Sequence, residues 1–204
     1  MNKIIDLTGN SREKYYSQLN NQIDPYIACQ VTSMIMGLDM SGFNLEPINS
    51  LPCKEFKQPE DKLRWFMLND PQVQDFWRCS HPGTTIPAPE WADCMYFAVN
   101  KIYNDKIVWY EGTLTIDKIQ ADLESGVPVY TSMKYPGNKN FSGKPSPIGG
   151  HIVLIVGIDN NSIIINDPYK NHLTGDKDGF RNFYTFAEFE RHNKGYAIRY
   201  LKNI

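Results

Sequence analysis

The chain has 204 residues, of which 41% are hydrophobic and 22% charged, ordinary globular proportions that exclude a disordered tail, a fibrous repeat or a collagen-like rod. Lys and Arg total 21 against 23 Asp and Glu, for a net charge of -2, so there is no positive field to hold a phosphate backbone and nucleic acid is not an expected partner. A chain of this size is expected to be a single domain, residues 1–204, because domains run to roughly 100–200 residues.

The longest apolar stretches, such as Ile152 to Ile158, fall well short of the ~20 residues that a bilayer crossing needs. The N-terminal segment MNKIIDLTGNSREKYY lacks the apolar core of a secretory signal. The expectation is therefore synthesis in the cytoplasm with no membrane partner, and any release to the cell wall would depend on a holin. Cys29, Cys53, Cys79 and Cys94 stand at irregular spacings with no C-x-x-C, a pattern that suits neither a disulfide framework nor a zinc ribbon. Free thiols in a reducing compartment, with no metal and no cofactor, are the expectation.

From residue 28 to 38 the apolar positions Val31, Met34, Ile35 and Leu38 recur at helical spacing. Asp24-Pro25 forces an extended or turn approach, and Gly37 with Ser41-Gly42 marks the exit. Cys29 then lies in the first helical turn. Residues 43–58 read as a loop, and helices follow at Glu60 to Leu68 and Val73 to Trp77, broken at Asn69-Asp70-Pro71. EWADCMYFAVNKIY forms another helix with Cys94 as packing, and Thr115 caps one carrying Ile116, Ile119 and Leu123 that ends at Gly126. Beyond Val127 the runs PVYTSMKY, HIVLIVGI, SIIIND and GYAIRYL are β-branched and aromatic between turn residues, and read as strands. The result is an α+β fold: a mainly helical lobe over 1–126 on an antiparallel sheet lobe over 127–204, with a cleft between them.

A thiol with a pKa of about 8.5 needs help to ionise at neutral pH. A helix N-terminus supplies some, because its free N–H groups and dipole favour negative charge. Cys29 has that placement. His151 opens the run GGHIVLIVGID, and the next strand ends at Asn166-Asp167-Pro168. A hairpin turning near residue 160 pairs positions whose numbers sum to about 320, which brings Asp167 to the His151 end. A carboxylate there would fix the imidazole tautomer while the other ring nitrogen faces a thiol.

QLNNQIDPYIACQVTS resembles the nucleophile segment, and GGHIVLIVGID with IIINDPY the His and Asp segment, of papain-like cysteine peptidases. The nearest branch is that of the bacteriocin-processing, double-glycine leader peptidases, including single-domain forms in bacteria and phages. The resemblance covers roughly residues 18–38 and 127–170. It implies a papain-like fold, Cys29 as nucleophile, His151 as base and acid, and Asp167 as the residue that orients it. It also implies a glutamine that donates to the oxyanion with the Cys29 N–H. Gln18 is favoured, with Asn21 and Gln22 as alternatives, because neither glutamine stands at the family's usual distance from the cysteine. Gln30 replaces the glycine that commonly follows the nucleophile.

The reaction so implied is hydrolysis of a peptide or isopeptide bond through an acyl-enzyme thioester. The substrate would be a cell-wall peptide, as for a phage lysin, or an intracellular protein, and the enzyme a monomer. Gly150, Tyr169 and Gln22 are candidates to contact the substrate, and residues 137–150 would form a gating loop. The same thioester would serve an acyltransferase, and a non-catalytic peptide-binding virion or scaffold protein is the alternative from another class. Elsewhere, Cys79-Ser80-His81 with Cys53 or Cys94 fits no tetrahedral metal motif, and Asp176 to Gly179 reads as a solvated turn. Trp65, Trp77, Trp91 and Trp109 are expected in aromatic core, and His172 and His192 on the surface.

Overall fold

The structure, a computed structural model, describes residues 4–103, 107–111, 114–135 and 150–200. The expected gating connection and the Trp109 side chain lie outside the described residues. The helices are α1 (Cys29–Met40), α2 (Glu46–Asn49), α3 (Pro59–Asn69), α4 (Pro71–Ser80), α5 (Ala92–Tyr103), α6 (Ile116–Glu124) and α7 (Phe186–His192). The strands are β1 (Ile5–Asp6), β2 (Ile107–Glu111), β3 (Val129–Lys134), β4 (Gly150–Ile158), β5 (Ser162–Asn166), β6 (Asn182–Thr185) and β7 (Asn193–Tyr200). Among the described residues the strands form one antiparallel sheet in the order β2-β7-β3-β4-β5-β6, with β1 pairing on β4. No helix among them is long and apolar enough to cross a membrane.

Strand β4 is buried along its length after Gly150, and its alternating side chains feed two cores. Ile152, Leu154 and Val156 join α1 and the other early helices in one cluster. Val153 and Ile155 meet Ile119 and Leu123 of α6 and Phe189 of α7 in a second. This is the period of two expected of a strand covered on both faces. Between Ile155 and Gly157 a bulge interrupts the pairing with β5, which returns Ile158 to the second cluster.

Helix α1 is central and buried from Gln30 to Leu38, the polar Gln30, Thr32 and Ser33 included, so it is enclosed on faces beyond the apolar positions that mark it in the sequence. Gly37 lies inside the helix and does not mark its end, which comes at Ser41 before Gly42 with φ of +72°, the left-handed conformation glycine tolerates best. Asp70 separates α3 from α4 and accepts from the backbone N–H groups of Gln72 and Val73, a proper N-cap. The loop expected over 43–58 contains the short helix α2. Two strands, β1 and β2, come from the half expected to be helix and loop. Helix α7 was not expected, although Thr185 and Glu188 form a reciprocal capping box that announces it.

The segment 166–181 returns past the end of β5. Asp167 N–H donates to Gly179 O at 2.8 Å, and Tyr15 Oη donates to Asp167 O at 2.9 Å. Gln18 N–H donates to Pro168 O at 2.8 Å, so the N-terminal segment clasps the Asp167 turn. Asp178 pairs with Arg12. A Cβ placed on Gly179 would stand 1.9 Å from Asp167 O, a backbone atom that cannot step aside. Gly179→Ala is therefore expected to destabilise the protein by about 1–3 kcal/mol and to lower Tm accordingly; an unchanged Tm in a thermal melt would contradict the packing described.

Candidate active site

Cys29 is the first residue of α1, and the segment that leads into it is fixed from below by buried charges on α3. Asp61, fully buried, accepts from the backbone N–H of Gln22 at 2.9 Å and of Ile23 at 2.9 Å. Arg64, buried likewise, pairs with Asp24 at 2.9 Å and Glu90 at 2.8 Å. Asp24 holds φ of +49°, an uncommon conformation that these contacts sustain. Neither Asp61 nor Arg64 was expected from the sequence, since each stands on a helix face like any solvated charge. Helix α1 lacks a side-chain cap at Ala28, so this scaffold replaces local capping.

One turn beyond Cys29, Ser33 Oγ donates to Ile152 O at 3.0 Å, tying α1 to the residue after His151. His151 Nε2 meets Asp167 Oδ1 at 2.7 Å. The pairing of Leu154 with Asn166 and of Ile155 with Ile165 is the register that places Asp167 beside the start of β4. Against a carboxylate Nε2 must carry the proton, which leaves Nδ1 as the ring nitrogen available to the Cys29 side chain, whose proximity also favours the imidazolium. The structure thus brings Cys29, His151 and Asp167 together.

Burial alone would push the His151 imidazolium toward neutrality. The Asp167 charge and hydrogen bond, with a smaller contribution from the neighbouring Cys29 side chain, outweigh it and hold the group up at about 10. Asp167, with no exposure, is opposed in the same way by burial, yet His151 and His172 keep it far below the usual carboxylate range. Its Oδ1 also accepts from Tyr169 N–H at 2.8 Å and Lys170 N–H at 3.2 Å.

Gln18 is buried and its Nε2 donates to Pro25 O at 2.8 Å, on the approach to Cys29. Buried Asn21 donates to Thr32 Oγ1 at 3.2 Å, whereas the Gln22 side chain is exposed. Gly150 begins β4, and Tyr169 is half-buried beside the Asp167 turn. His172 is not the surface residue expected: its side chain is 8% exposed, and Nδ1 meets Asp167 Oδ2 at 2.9 Å. Its ring stacks on Tyr135 at 4.0 Å. Nothing in the spacing of NDPYKNH marks this, because the loop's return is set by bonds such as those of Asp167 with Gly179 and Asn171 with Asp176, which have no local signature. His192, partly buried, meets Lys134 O at 2.7 Å. Trp65, Trp77 and Trp91 pack against the first core.

Among the described residues, two groups of side chains have the proximity a metal ion needs, His151 with Asp167 and His172, and His81 with Asp93 and Cys94. In the first, protons between rings and carboxylate already account for the short distances. In the second, burial and Asp93 push the Cys94 thiol up to about 12, which makes the thiolate a metal would require costly.

A helix bearing a cysteine at its N-terminus, docked on an antiparallel sheet that contributes histidine and aspartate, is the papain-like architecture of a cysteine peptidase, a hydrolase. The model of the Peptidase_C39 like family matches residues 13–197, and the chain belongs to that family. A structure from Bacillus anthracis described as C39-like is similar over 98% of this chain and 98% of its own, with a TM-score of 0.61 and 17% identity. Xylellain, a cysteine protease from Xylella fastidiosa, aligns with 98% of this chain and 86% of its own, at a TM-score of 0.48 and 16% identity. No curated protein matches the chain.

The raised His151 pKa sets the sign of a pH effect. Its pairing stabilises the fold fully below the unfolded imidazole's pKa of about 6.5 and ceases to do so as pH rises through about 10. In Asp167→Asn the burial persists and the opposing charge is gone, so the His151 Hε1 resonance is expected to titrate below the ordinary histidine value. A midpoint still near 10 would show that the charge of Asp167 is not what holds the imidazolium.

Proposed function

We propose that Cys29, His151 and Asp167 are the catalytic triad of this peptidase, and that it cleaves peptide bonds through an acyl-enzyme thioester. The observation that carries the reading is the His151 imidazole bonded through Nε2, at 2.7 Å, to a buried carboxylate, with the Cys29 side chain close enough to favour its charged form. The Cys29 sulfur, its proton taken by His151 Nδ1, attacks the scissile carbonyl carbon. As the tetrahedral intermediate collapses the C–N bond breaks, and the same proton passes to the leaving amine. His151 then takes a proton from water, whose oxygen attacks the thioester, and returns it to the departing Cys29. Asp167 keeps its charge throughout and stabilises each imidazolium.

The carbonyl oxygen becomes an anion in both tetrahedral intermediates and needs preorganised donors. The Cys29 backbone N–H at the head of α1 is one. Gln18 is the other: its bond to Pro25 O requires nitrogen on that side of the amide, uses one of its two protons and leaves the second for the oxyanion. Gly150 and Tyr169 border the His151 and Asp167 ends of the site and act as substrate contacts, with the exposed Gln22 at the rim.

The substrate is a peptide of the bacterial cell wall or an intracellular protein. Purified peptidoglycan and a denatured protein pool, each incubated with wild type and with Cys29→Ala, separate the two by mass spectrometry of the released fragments. Fragments from one pool only are expected, with the rate falling at least about a thousandfold in the variant. Products that persist with Cys29→Ala would overturn the triad.

A further inference from the structure

Asp167 is bonded at both oxygens, and the triad uses only one of them. Oδ1 takes His151 and two backbone N–H groups, whereas among the described residues His172 Nδ1, at 2.9 Å, is the one partner of Oδ2. A carboxylate oxygen with no water beside it and no donor would carry the full cost of desolvation. Since Asp167 is an anion, His172 must present a proton at Nδ1, which fixes its tautomer. The ring is in turn fixed by near-parallel stacking on Tyr135, with an interplanar angle of 8°. The Tyr135 hydroxyl is bonded to that of Tyr184 at 3.1 Å.

Resting on the triad assignment above, we infer that His172 is a fourth, positioning residue of the catalytic site, which donates from Nδ1 to Asp167 Oδ2 and so holds the carboxylate charged and turned toward His151. Its hydrogen bond goes to Asp167 and not to Cys29, so its effect on the nucleophile is relayed by that carboxylate. A neutral donor is what this role needs, because a second cation 4.6 Å from the His151 ring would compete for the same carboxylate. Burial, then the charge of His151 and that of Lys170, hold His172 below its ordinary value against the opposing pull of Asp167. The other ionisable groups beside it are Tyr135, Tyr169 and Tyr184.

The two functions of the ring can be separated. His172→Phe keeps an aromatic face for Tyr135 and removes the donor, while His172→Asn places an amide nitrogen where Nδ1 stood and removes the face. The readout is the rate of Cys29 alkylation by iodoacetamide between pH 5 and pH 8, followed by mass spectrometry of the Cys29 peptide. It reports the thiol beside a charged imidazole and needs no substrate.

Buried Cys53 and Cys94 report on folding in the same samples, and exposed Cys79 is the reference for an ordinary thiol. Without the donor, the Asp167 carboxylate is no longer held turned toward His151, and His151 loses part of its support. The Cys29 rate near pH 6 is then expected to fall roughly tenfold or more in His172→Phe, and its acid limb to move to higher pH. His172→Asn should restore both. Wild-type rates in a folded His172→Phe would overturn the inference, as would an equal loss in both variants with Cys53 and Cys94 still protected. Should His172→Phe expose those two thiols, His172→Asn decides alone: a wild-type profile supports the donor role and a slow one rejects it. If Cys29 in the unmutated protein reacts no faster than Cys79, it is the triad that fails, whatever the variants do.

Discussion

A negative charge with no access to water organises this site. Asp167 sits at the end of β5 with zero exposure, a placement that is tolerable only when both carboxylate oxygens are hydrogen-bonded. The protein meets that demand with two imidazoles and two backbone N–H groups on the carboxylate, and with Gly179 and Tyr15 on the Asp167 backbone. The charge so retained then keeps His151 an imidazolium despite its burial, and that is the state in which a neighbouring sulfur is most readily held as an anion. Removing either half leaves the other as an uncompensated buried charge, so the pair is a functional device more than a source of stability.

The second requirement is that a helix from one part of the chain meet a strand from another within hydrogen-bond range. Two sets of contacts achieve it. Asp61 and Arg64 hold the turn before Cys29 from the α3 side, and the Ser33 hydroxyl joins α1 to β4 one turn further on. The first fixes where the helix begins, the second how far along the strand it docks. Between them they leave Cys29 little freedom relative to His151, which is the preorganisation that nucleophilic catalysis depends on.

Much of this was legible in the residues. The strands announced themselves by β-branched runs between turn residues, and the hairpin arithmetic placed Asp167 by His151 because antiparallel register is rigid once the turn is located. Cys29 at a helix start followed from the apolar period of α1. What escaped was whatever depended on chain return. His172 looked like a loop histidine because its burial is produced by residues 173–179 folding back on Asp167 and by Tyr135 from β3's end, neither of which has a local signature. Asp61 and Arg64 looked like surface charges for the same reason: their partners lie far off in the chain, Gln22, Ile23 and Asp24 some forty residues earlier and Glu90 26 residues later. Helix α7 is a different case, since Thr185-Phe186-Ala187-Glu188 carries a capping box that could have been read.

The measurement closest to the centre of this account is the nitrogen spectrum of the protein labelled with 15N-histidine, recorded at pH 8. The account predicts that both ring nitrogens of His151 carry protons at that pH, while His172 is neutral with its proton on Nδ1. A His151 ring with one unprotonated nitrogen at pH 8 would contradict it, for the buried carboxylate would then not be holding the charge on which the arrangement depends.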